Sequence, residues 1–308
     1  MTLADFLTQV ADGDEQPKYS ELLQLSSLAS NELFEFKVAW ASVGEERQRL
    51  VMGQLMELSE DNLELDFSGV FRACLEDSDD EVREKAVRGL WESDDRTIIR
   101  PLIGLLENDP APGVRAAAAI CLGTFAELAQ KGKLLPRDSD RILDALVGAT
   151  TGGDTDVDVK RRAIESVAFY DNPETGEIIL EAHQSGDQAL RQSSIYAMGQ
   201  TSNPQWLPTL HAEMSDDSPV IRYEAVGAAA HLGDESTVPY LIEAVQDEDQ
   251  QVQLAAVKGL GSVGGSLAKR ALQRCKTIGD ESLEQAAEEA LLSLEFDEDP
   301  LGFHFDNT

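Results

Sequence analysis

The clearest pattern along the chain is an apolar segment that recurs seven times. Each copy begins at an aliphatic anchor, has a small residue four positions later, and has an apolar residue eight positions later. Positions zero, four and eight lie on one stripe of an α-helix, so each copy is predicted to form an amphipathic helix. The seven anchors are Val82, Val114, Val159, Leu190, Ile221, Val252 and Leu283.

A second apolar segment precedes each of these helices, which predicts a repeat built from two helices. In three repeats this earlier segment carries a proline thirteen residues before the anchor, at Pro101, Pro208 and Pro239. Proline is tolerated near the start of a helix, because the N–H that it lacks has no partner there. The last five anchors are 31 residues apart. Each repeat is therefore expected to be a pair of antiparallel helices joined by a short turn.

A turn aspartate and an arginine accompany the anchors. Most anchors are followed directly by a basic residue, as in Val82-Arg83 and Ile221-Arg222. The aspartate is expected to cap the second helix or to accept from its N–H groups. The arginine is expected to reach that carboxylate or the one in the neighbouring repeat, forming a ladder along the stack. The aspartates lie five residues before their anchors, at Asp77, Asp109, Asp154, Asp216 and Asp247.

These features together resemble HEAT repeats. The 31-residue period is similar to the short HEAT-like repeats named after phycobilisome lyases, and the segment LGDESTVPYLIEAVQDEDQQVQLAAVKGLG is the best example in the chain. The resemblance implies an all-α, right-handed superhelix of the HEAT/armadillo type with about seven or eight helix pairs. It also implies a function in binding, because stacked repeats create a long continuous surface.

The repeat pattern divides the chain into three predicted regions. Residues 1–59 are expected to hold N-terminal helices and a degenerate first repeat, and residues 60–295 the HEAT-like repeats, with an irregular insertion at 130–158. Residues 296–308 form an acidic tail, interpreted as a frayed end or, as an alternative, a docking motif. Gln253 and Glu284 replace the arginine in the last two repeats, as expected where a stack ends.

Composition narrows the classes of partner. The formal net charge is -33, so binding to nucleic acid or to anionic lipid is not expected, whereas a basic protein partner is compatible. The chain has three cysteines, far apart in sequence, and its first residues lack the positive charge and long apolar run of a signal peptide. No segment approaches the roughly 20 apolar residues of a membrane span. These observations predict a cytoplasmic protein.

No catalytic or cofactor-binding pattern stands out. The four histidines are solitary, and none is followed by the glutamate with which deoxyhypusine hydroxylase, a HEAT-like enzyme, holds iron. A calcium loop beginning at Asp154 would need glycine where Val159 stands. The chain is therefore predicted to be non-catalytic and to need no cofactor or metal. The alternative is an accessory protein that handles a tetrapyrrole, as the bilin lyases of the resembled family do.

The predicted binding surface is the stripe opposite the anchors. Positions two, six and ten after an anchor point away from the buried stripe, and in stacked helix pairs this side usually forms the concave wall. Exposed aromatic and arginine side chains on such a face are typical of interface anchors. The alternative is that these side chains pack between repeats. The residues predicted to bind a protein or peptide are Ile120, Arg161, Phe169, Tyr196, Tyr223, His231 and Leu254.

Overall fold

The computed structural model describes Leu3, Phe6 and residues 17–152, 155–277 and 279–298. These residues form seventeen α-helices and four short 3-10 turns, and within them there is no β-strand. Helices follow one another in pairs, and within each of two compact units each pair packs against the next, so the prediction of an all-α solenoid is confirmed. The chain divides into two compact units, unit 1 from Met1 to Phe169 and unit 2 from Tyr170 to Thr308.

Unit 1 contains a short leading helix and four helix pairs. The second helices of these pairs are α3, α5, α7 and α9, and α3 packs on α5, α5 on α7 and α7 on α9. The helices are α1 (Tyr19–Leu22), α2 (Ser30–Trp40), α3 (Glu45–Asp61), α4 (Ser68–Ala73), α5 (Asp80–Arg88), α6 (Ile99–Asn108), α7 (Pro112–Gln130), α8 (Pro136–Thr151) and α9 (Val157–Val167).

Unit 2 contains four further pairs. Its second helices are α11, α13, α15 and α17, and each packs on the next in that order. The helices are α10 (Pro173–Gln184), α11 (Gln188–Gln200), α12 (Leu207–Glu213), α13 (Pro219–His231), α14 (Val238–Ala244), α15 (Gln250–Val263), α16 (Gly265–Cys275) and α17 (Glu281–Glu298).

The anchors form the core of each unit. Val82, Val114 and Val159 are completely buried in unit 1, as are Ile221 and Val252 in unit 2. Burying an aliphatic side chain of this size contributes about 1.5–3 kcal/mol, so the repeated anchor is a main source of stability. Because one helix pair cannot cover its own apolar stripe, this contribution depends on stacking.

The turn aspartates bond within the turn, which differs from the predicted cap. Asp247 accepts from the N–H of Asp249 at 2.8 Å, and Asp249 is the residue that caps α15. Asp216 likewise accepts from the N–H of Ser218 at 2.8 Å, and Ser218 occupies the N-cap position of α13 without a capping bond from its side chain. The capping position therefore lies two residues after the aspartate that the repeat pattern identifies, since that aspartate is needed to shape the turn.

The predicted arginine ladder is present and joins consecutive pairs within each unit. Arg83 binds Asp109 of the next pair through two hydrogen bonds, at 2.8 and 2.9 Å. Arg222 binds Asp247 in the same way, at 2.7 and 2.8 Å. Both arginines are buried, and each also donates to backbone carbonyls of its own turn. The guanidinium therefore fixes its own turn and the position of the following pair at once.

The ladder starts earlier and ends more gradually than the pattern predicts. Arg49, in the degenerate first repeat, binds Asp79 with its Nε at 3.0 Å from each carboxylate oxygen. At the other end, the Nε2 of Gln253 donates to the carbonyl of Asp247 at 2.6 Å. Gln253 thus keeps the contact within its own turn after the contact to the next pair is lost.

Second helices of neighbouring pairs approach each other closely through small residues. The position nine residues after one anchor meets the position seven residues after the next anchor. A Cβ added to Gly199 would lie 2.7 Å from the Cα of Ala228, and one added to Gly123 would lie 2.6 Å from the Ser166 hydroxyl. A Cβ at Gly261 would lie 2.8 Å from the Cβ of Ala290. Glycine is therefore required for this packing distance.

The irregular insertion at 130–158 consists mainly of helix. The spacing of the anchors predicts an extended second helix followed by a loop in residues 130–158, and in the structure α7 ends at Gln130. After a turn in which Gly132 has φ 67°, α8 occupies much of the remaining interval as the next first helix. Asp154 and most of the acidic tail lie outside the described residues, while α17 continues three residues beyond the predicted end of the repeats at 295.

Because the arginine ladder pairs charged groups, we expect the stability of the fold to depend on pH in the acidic range. Bonding to Arg222 lowers the pKa of Asp247 below its ordinary value of 3.8. A carboxyl whose pKa is lowered in the folded state contributes stability above its ordinary pKa and loses it as the pH falls through the folded value. The free-energy difference between the wild type and Arg222→Gln is therefore expected to be constant near neutrality and to shrink below about pH 4. Urea unfolding at a series of pH values measures it, and a difference that does not change with pH would contradict the role of this pair.

Candidate protein-binding surface

The candidate surface is the exposed stripe of the second helices, defined by positions two, six and ten after each anchor. The opposite sides of these helices face the first helices and their neighbours, because the anchors are buried there. An exposed stripe therefore remains on each unit, and it is described for the two units separately.

In unit 2 the stripe carries two exposed tyrosines on helices that pack together. Tyr196 of α11 is 39% exposed and Tyr223 of α13 is 46% exposed. The two helices are in register, since Gln192 Nε2 donates to Glu224 Oε2 at 3.3 Å and Gly199 contacts Ala228. Tyr196 and Gly227 both occupy position six of their repeats, and Gly227 lies one helical turn beyond Tyr223. The exposed stripes of these two packed helices, which carry Tyr196 and Tyr223, form the tyrosine patch.

Gly227 leaves a gap in this patch. It lies on the same stripe of α13 as Tyr223 and His231, both of which are exposed. A Cβ added to Gly227 would meet no atom within 4 Å, so this glycine is not required by packing. The exposed stripe of α13 therefore carries no side chain between Tyr223 and His231, and a partner can approach the helix backbone there. The glycine at position six of this repeat is a signal that the sequence prediction of the surface did not use.

On α15 the stripe carries an aliphatic and a basic side chain in place of aromatic ones. Leu254 is half-buried and Lys258 is exposed, and α15 packs directly on α13. Leu254 therefore presents only part of its side chain to solvent at the edge of the patch.

In unit 1 the predicted residues form a weaker patch. Ile120 of α7 is exposed, and α7 packs on α9, which carries Arg161. Arg161 is paired with Asp158 at 3.1 Å and is half-buried. Phe169 lies just beyond the end of α9 and is also half-buried. Ile120 is thus the predicted residue that presents a clearly exposed apolar side chain on this unit.

The described histidines outside this stripe have structural partners. His183 Nε2 lies 2.9 Å from Glu213 Oε1, and the same carboxylate binds Arg191, which also binds Asp216 at 2.7 Å. This network joins consecutive helix pairs of unit 2 and extends the ladder, which the sequence did not reveal because Glu213 has no counterpart in the repeat pattern.

The ring of His211 has a hydrogen-bonding partner and a stacking partner. Its Nε2 lies 3.0 Å from the hydroxyl oxygen of Thr237, and its ring stacks on Tyr240 with ring centroids 3.9 Å apart. Burial lowers the pKa of His211. This environment favours a neutral ring that packs between α12 and α14.

The cysteines are buried free thiols. Cys74, Cys121 and Cys275 are each almost inaccessible, and burial raises the pKa of Cys121 to about 12. A thiol with a raised pKa is a poor nucleophile at neutral pH. Among the described residues, no cluster of three or more His, Cys, Asp or Glu side chains has the arrangement of a metal site.

In the described part of the chain, no helix combines sufficient length with sufficient apolar character to cross a bilayer.

Comparison with known proteins agrees with the repeat architecture. The yeast importin-beta Kap95p superposes with a TM-score of 0.57 at 15% identity, covering 97% of this chain and 47% of that protein. The complex of CpcE and CpcF of phycocyanin lyase, from a Nostoc species, superposes with a TM-score of 0.54 at 16% identity, covering 92% and 97%. At these identities the likeness concerns the fold alone.

Sequence comparison identifies the family. A search of curated proteins found no significant match. The family model for HEAT repeats matches residues 69–147 and 207–292, which together make up more than half of the chain. Both ranges coincide with helix pairs joined by the arginine ladder. The chain therefore belongs to the HEAT-repeat family.

Proposed function

We propose that this HEAT-repeat chain is a non-catalytic scaffold that binds a protein or peptide partner on the exposed stripe of its second helices. The proposed contact centre lies in unit 2, on Tyr196, Tyr223, His231 and Leu254. The patch on unit 1, with Ile120, Arg161 and Phe169, is proposed as a second and weaker contact. This stripe corresponds to the wall that is expected to be concave in stacked helix pairs.

The exposure of two tyrosines on adjacent, tightly packed helices is the observation that supports the proposal most strongly. Tyrosine has a large apolar ring, few rotatable bonds and one polar group, and it is enriched among residues that dominate binding energy. The small residues behind the patch hold α11 and α13 at a fixed distance. The tyrosines are therefore carried by a rigid support, which reduces the entropy lost on binding.

Charge favours a basic partner. The chain carries a formal net charge of -33, so its field accelerates association with a positively charged protein and opposes association with nucleic acid. Such association becomes slower as salt screens the field. A cytoplasmic location fits the three free thiols, since thiols persist in reducing compartments.

A role in handling a tetrapyrrole is the alternative function, and the fold shared with CpcE and CpcF is its support. It predicts a protein that carries a visible-range absorber after co-expression with bilins. The scaffold proposal predicts a colourless protein under the same conditions.

The proposal makes a direct prediction for Tyr196→Ala/Tyr223→Ala. Loss of two central aromatic side chains costs about 2 kcal/mol or more per important residue in typical interfaces, so partner recovery is expected to fall at least tenfold. The measurement is affinity capture with the immobilised full chain at fixed protein concentration, followed by quantitative mass spectrometry.

A matched control comes from the first helices of the same unit. Leu180 on α10 and Tyr240 on α14 are 43% and 42% exposed, close to the values for the two tyrosines. Leu180→Ala/Tyr240→Ala is expected to retain the recovered proteins. Equal recovery by the tyrosine double variant, with unchanged circular dichroism, would show that this patch is not the binding site.

A further inference from the structure

A second candidate interaction site lies between the first helices α14 and α16 of unit 2. A groove of about 400 Å³ separates these helices. Its floor consists of Ile242, Val245, Ala271 and Cys275, which are apolar apart from the buried thiol. The volume lies within the usual range of ligand pockets, and the groove belongs to helices that do not carry the stripe proposed above.

The wall of the groove is positively charged. Arg270 and Arg274 lie on α16 with exposed side chains, and the lining residues include no carboxylate. Within the part of the chain that the structure describes, neither guanidinium has an ion-pair partner. The sequence of α16, GSLAKRALQRC, contains three basic residues and no acidic residue. This helix is therefore basic, although the chain as a whole has a formal net charge of -33.

The spacing of the two arginines defines what they can bind. Residues four apart on a helix lie on one face, about 6 Å apart along its axis. Two guanidiniums in this arrangement can each donate a pair of hydrogen bonds to one carboxylate. Leu267, one turn before Arg270, extends the apolar floor to the solvent.

We infer that this groove docks an acidic peptide segment with aliphatic side chains, supplied by a partner protein. The aliphatic side chains occupy the floor between α14 and α16. Carboxylates about one helical turn apart on the same segment pair with Arg270 and Arg274. Charge complementarity assigns the occupant, since a basic segment would be repelled by both guanidiniums and a purely acidic segment would leave the apolar floor uncovered.

The test uses the full chain and a fluorescein-labelled synthetic peptide in which two leucines and four glutamates alternate along one helical face. Fluorescence anisotropy measures binding at about 0.05 M and about 0.3 M NaCl. We expect saturable binding that weakens in the higher salt, and an affinity at least tenfold lower for Arg270→Gln/Arg274→Gln. Leu267→Ala is expected to weaken binding as well, and its exposed position keeps the fold intact.

The chain offers a matched charge control. Arg137 and Arg141 are also exposed and four residues apart, on α8 in unit 1. Arg137→Gln/Arg141→Gln removes the same charge and is expected to leave peptide affinity unchanged within about twofold. An equal loss in both double variants would mean that only general charge attraction is measured, and would overturn the inference.

Three other outcomes would also overturn it. The first is equal binding of a peptide with serines in place of the leucines, which would exclude the apolar floor. The second is a dimer in sedimentation experiments that Arg270→Gln/Arg274→Gln dissociates, because the occupant would then be a second copy of the chain. The third is peptide binding that appears only after Phe303→Ser/Phe305→Ser, because the occupant would then be the chain's own terminal segment.

Discussion

Replacing Arg222 with alanine is expected to lower the free energy of unfolding by about 3 kcal/mol or more. Arg222 is only 7% exposed, and its removal leaves the carboxylate of Asp247, whose side chain is 10% exposed, without its cation. The carbonyls of Asp216 and Asp217 lose a donor in the same step. Removing one partner of a buried ion pair costs more than the pair contributes, because the remaining charge keeps its desolvation penalty.

Urea unfolding followed by circular dichroism measures this effect, and the control is Arg88→Ala. Arg88 forms an exposed pair with Glu84 on α5, four residues away, and exposed pairs of this kind contribute less than about 0.5 kcal/mol. Arg222→Lys is expected to lie between the wild type and the alanine variant, since lysine keeps the charge but cannot form the paired geometry. Similar losses for Arg222→Ala and Arg88→Ala would contradict the ladder as a source of stability.

The second large effect is expected from a matched pair of glycine substitutions on α11 and α13. Gly199→Ala places a Cβ 2.7 Å from the backbone of Ala228, so the two helices must separate. Overpacking of this kind typically costs about 1–3 kcal/mol. Gly227→Ala meets nothing and gains helix propensity, which stabilises by up to about 1 kcal/mol. Gly199→Ala gains the same helix propensity, so the two variants are expected to differ by the overpacking cost, about 1–3 kcal/mol.

Both variants replace glycine by alanine within neighbouring helices. The gain in helix propensity is therefore the same in both and cancels in the difference between their free energies of unfolding. Thermal and urea unfolding of the two variants, measured side by side, gives the difference directly. Equal stabilities would show that α11 and α13 can move apart without cost. The rigid support proposed for Tyr196 and Tyr223 would then be absent.

The repeat architecture could be predicted because one physical requirement recurs at every repeat. Each second helix must bury an aliphatic anchor, and each turn must present an aspartate to an arginine of the preceding pair. Val252 and Arg222 are therefore recognisable without a structure. The same periodicity predicted that the prolines of the first helices lie near the helix starts. Pro208 and Pro239 are indeed the second residues of α12 and α14.

What the pattern could not predict depends on contacts between residues without a fixed place in the repeat. Glu213 joins His183 to Arg191, but no other repeat has an equivalent carboxylate. The groove beside Arg270 arises from two first helices, whereas the predicted surface was sought on the second helices alone. The N-cap positions lie two residues after the aspartates that were predicted to cap, because a turn aspartate and a capping aspartate cannot be told apart in the sequence.

The two sites proposed on unit 2 have opposite charge preferences. The tyrosine patch belongs to a strongly acidic chain and favours a basic partner, while the groove on α14 and α16 favours an acidic segment. A partner with both kinds of segment could engage both sites, and linked contacts raise overall affinity well above that of either site. Combining Tyr196→Ala/Tyr223→Ala with Arg270→Gln/Arg274→Gln would separate linked from independent binding.

The most direct test of the scaffold proposal is site-specific photo-crosslinking in cells. A benzoylphenylalanine is introduced in place of Tyr223 on the patch, and in place of Leu180 on a first helix as the control. The account predicts a discrete covalent adduct with another protein from position 223 and no such adduct from position 180. Adducts that are absent from position 223, or equally abundant at both positions, would contradict it.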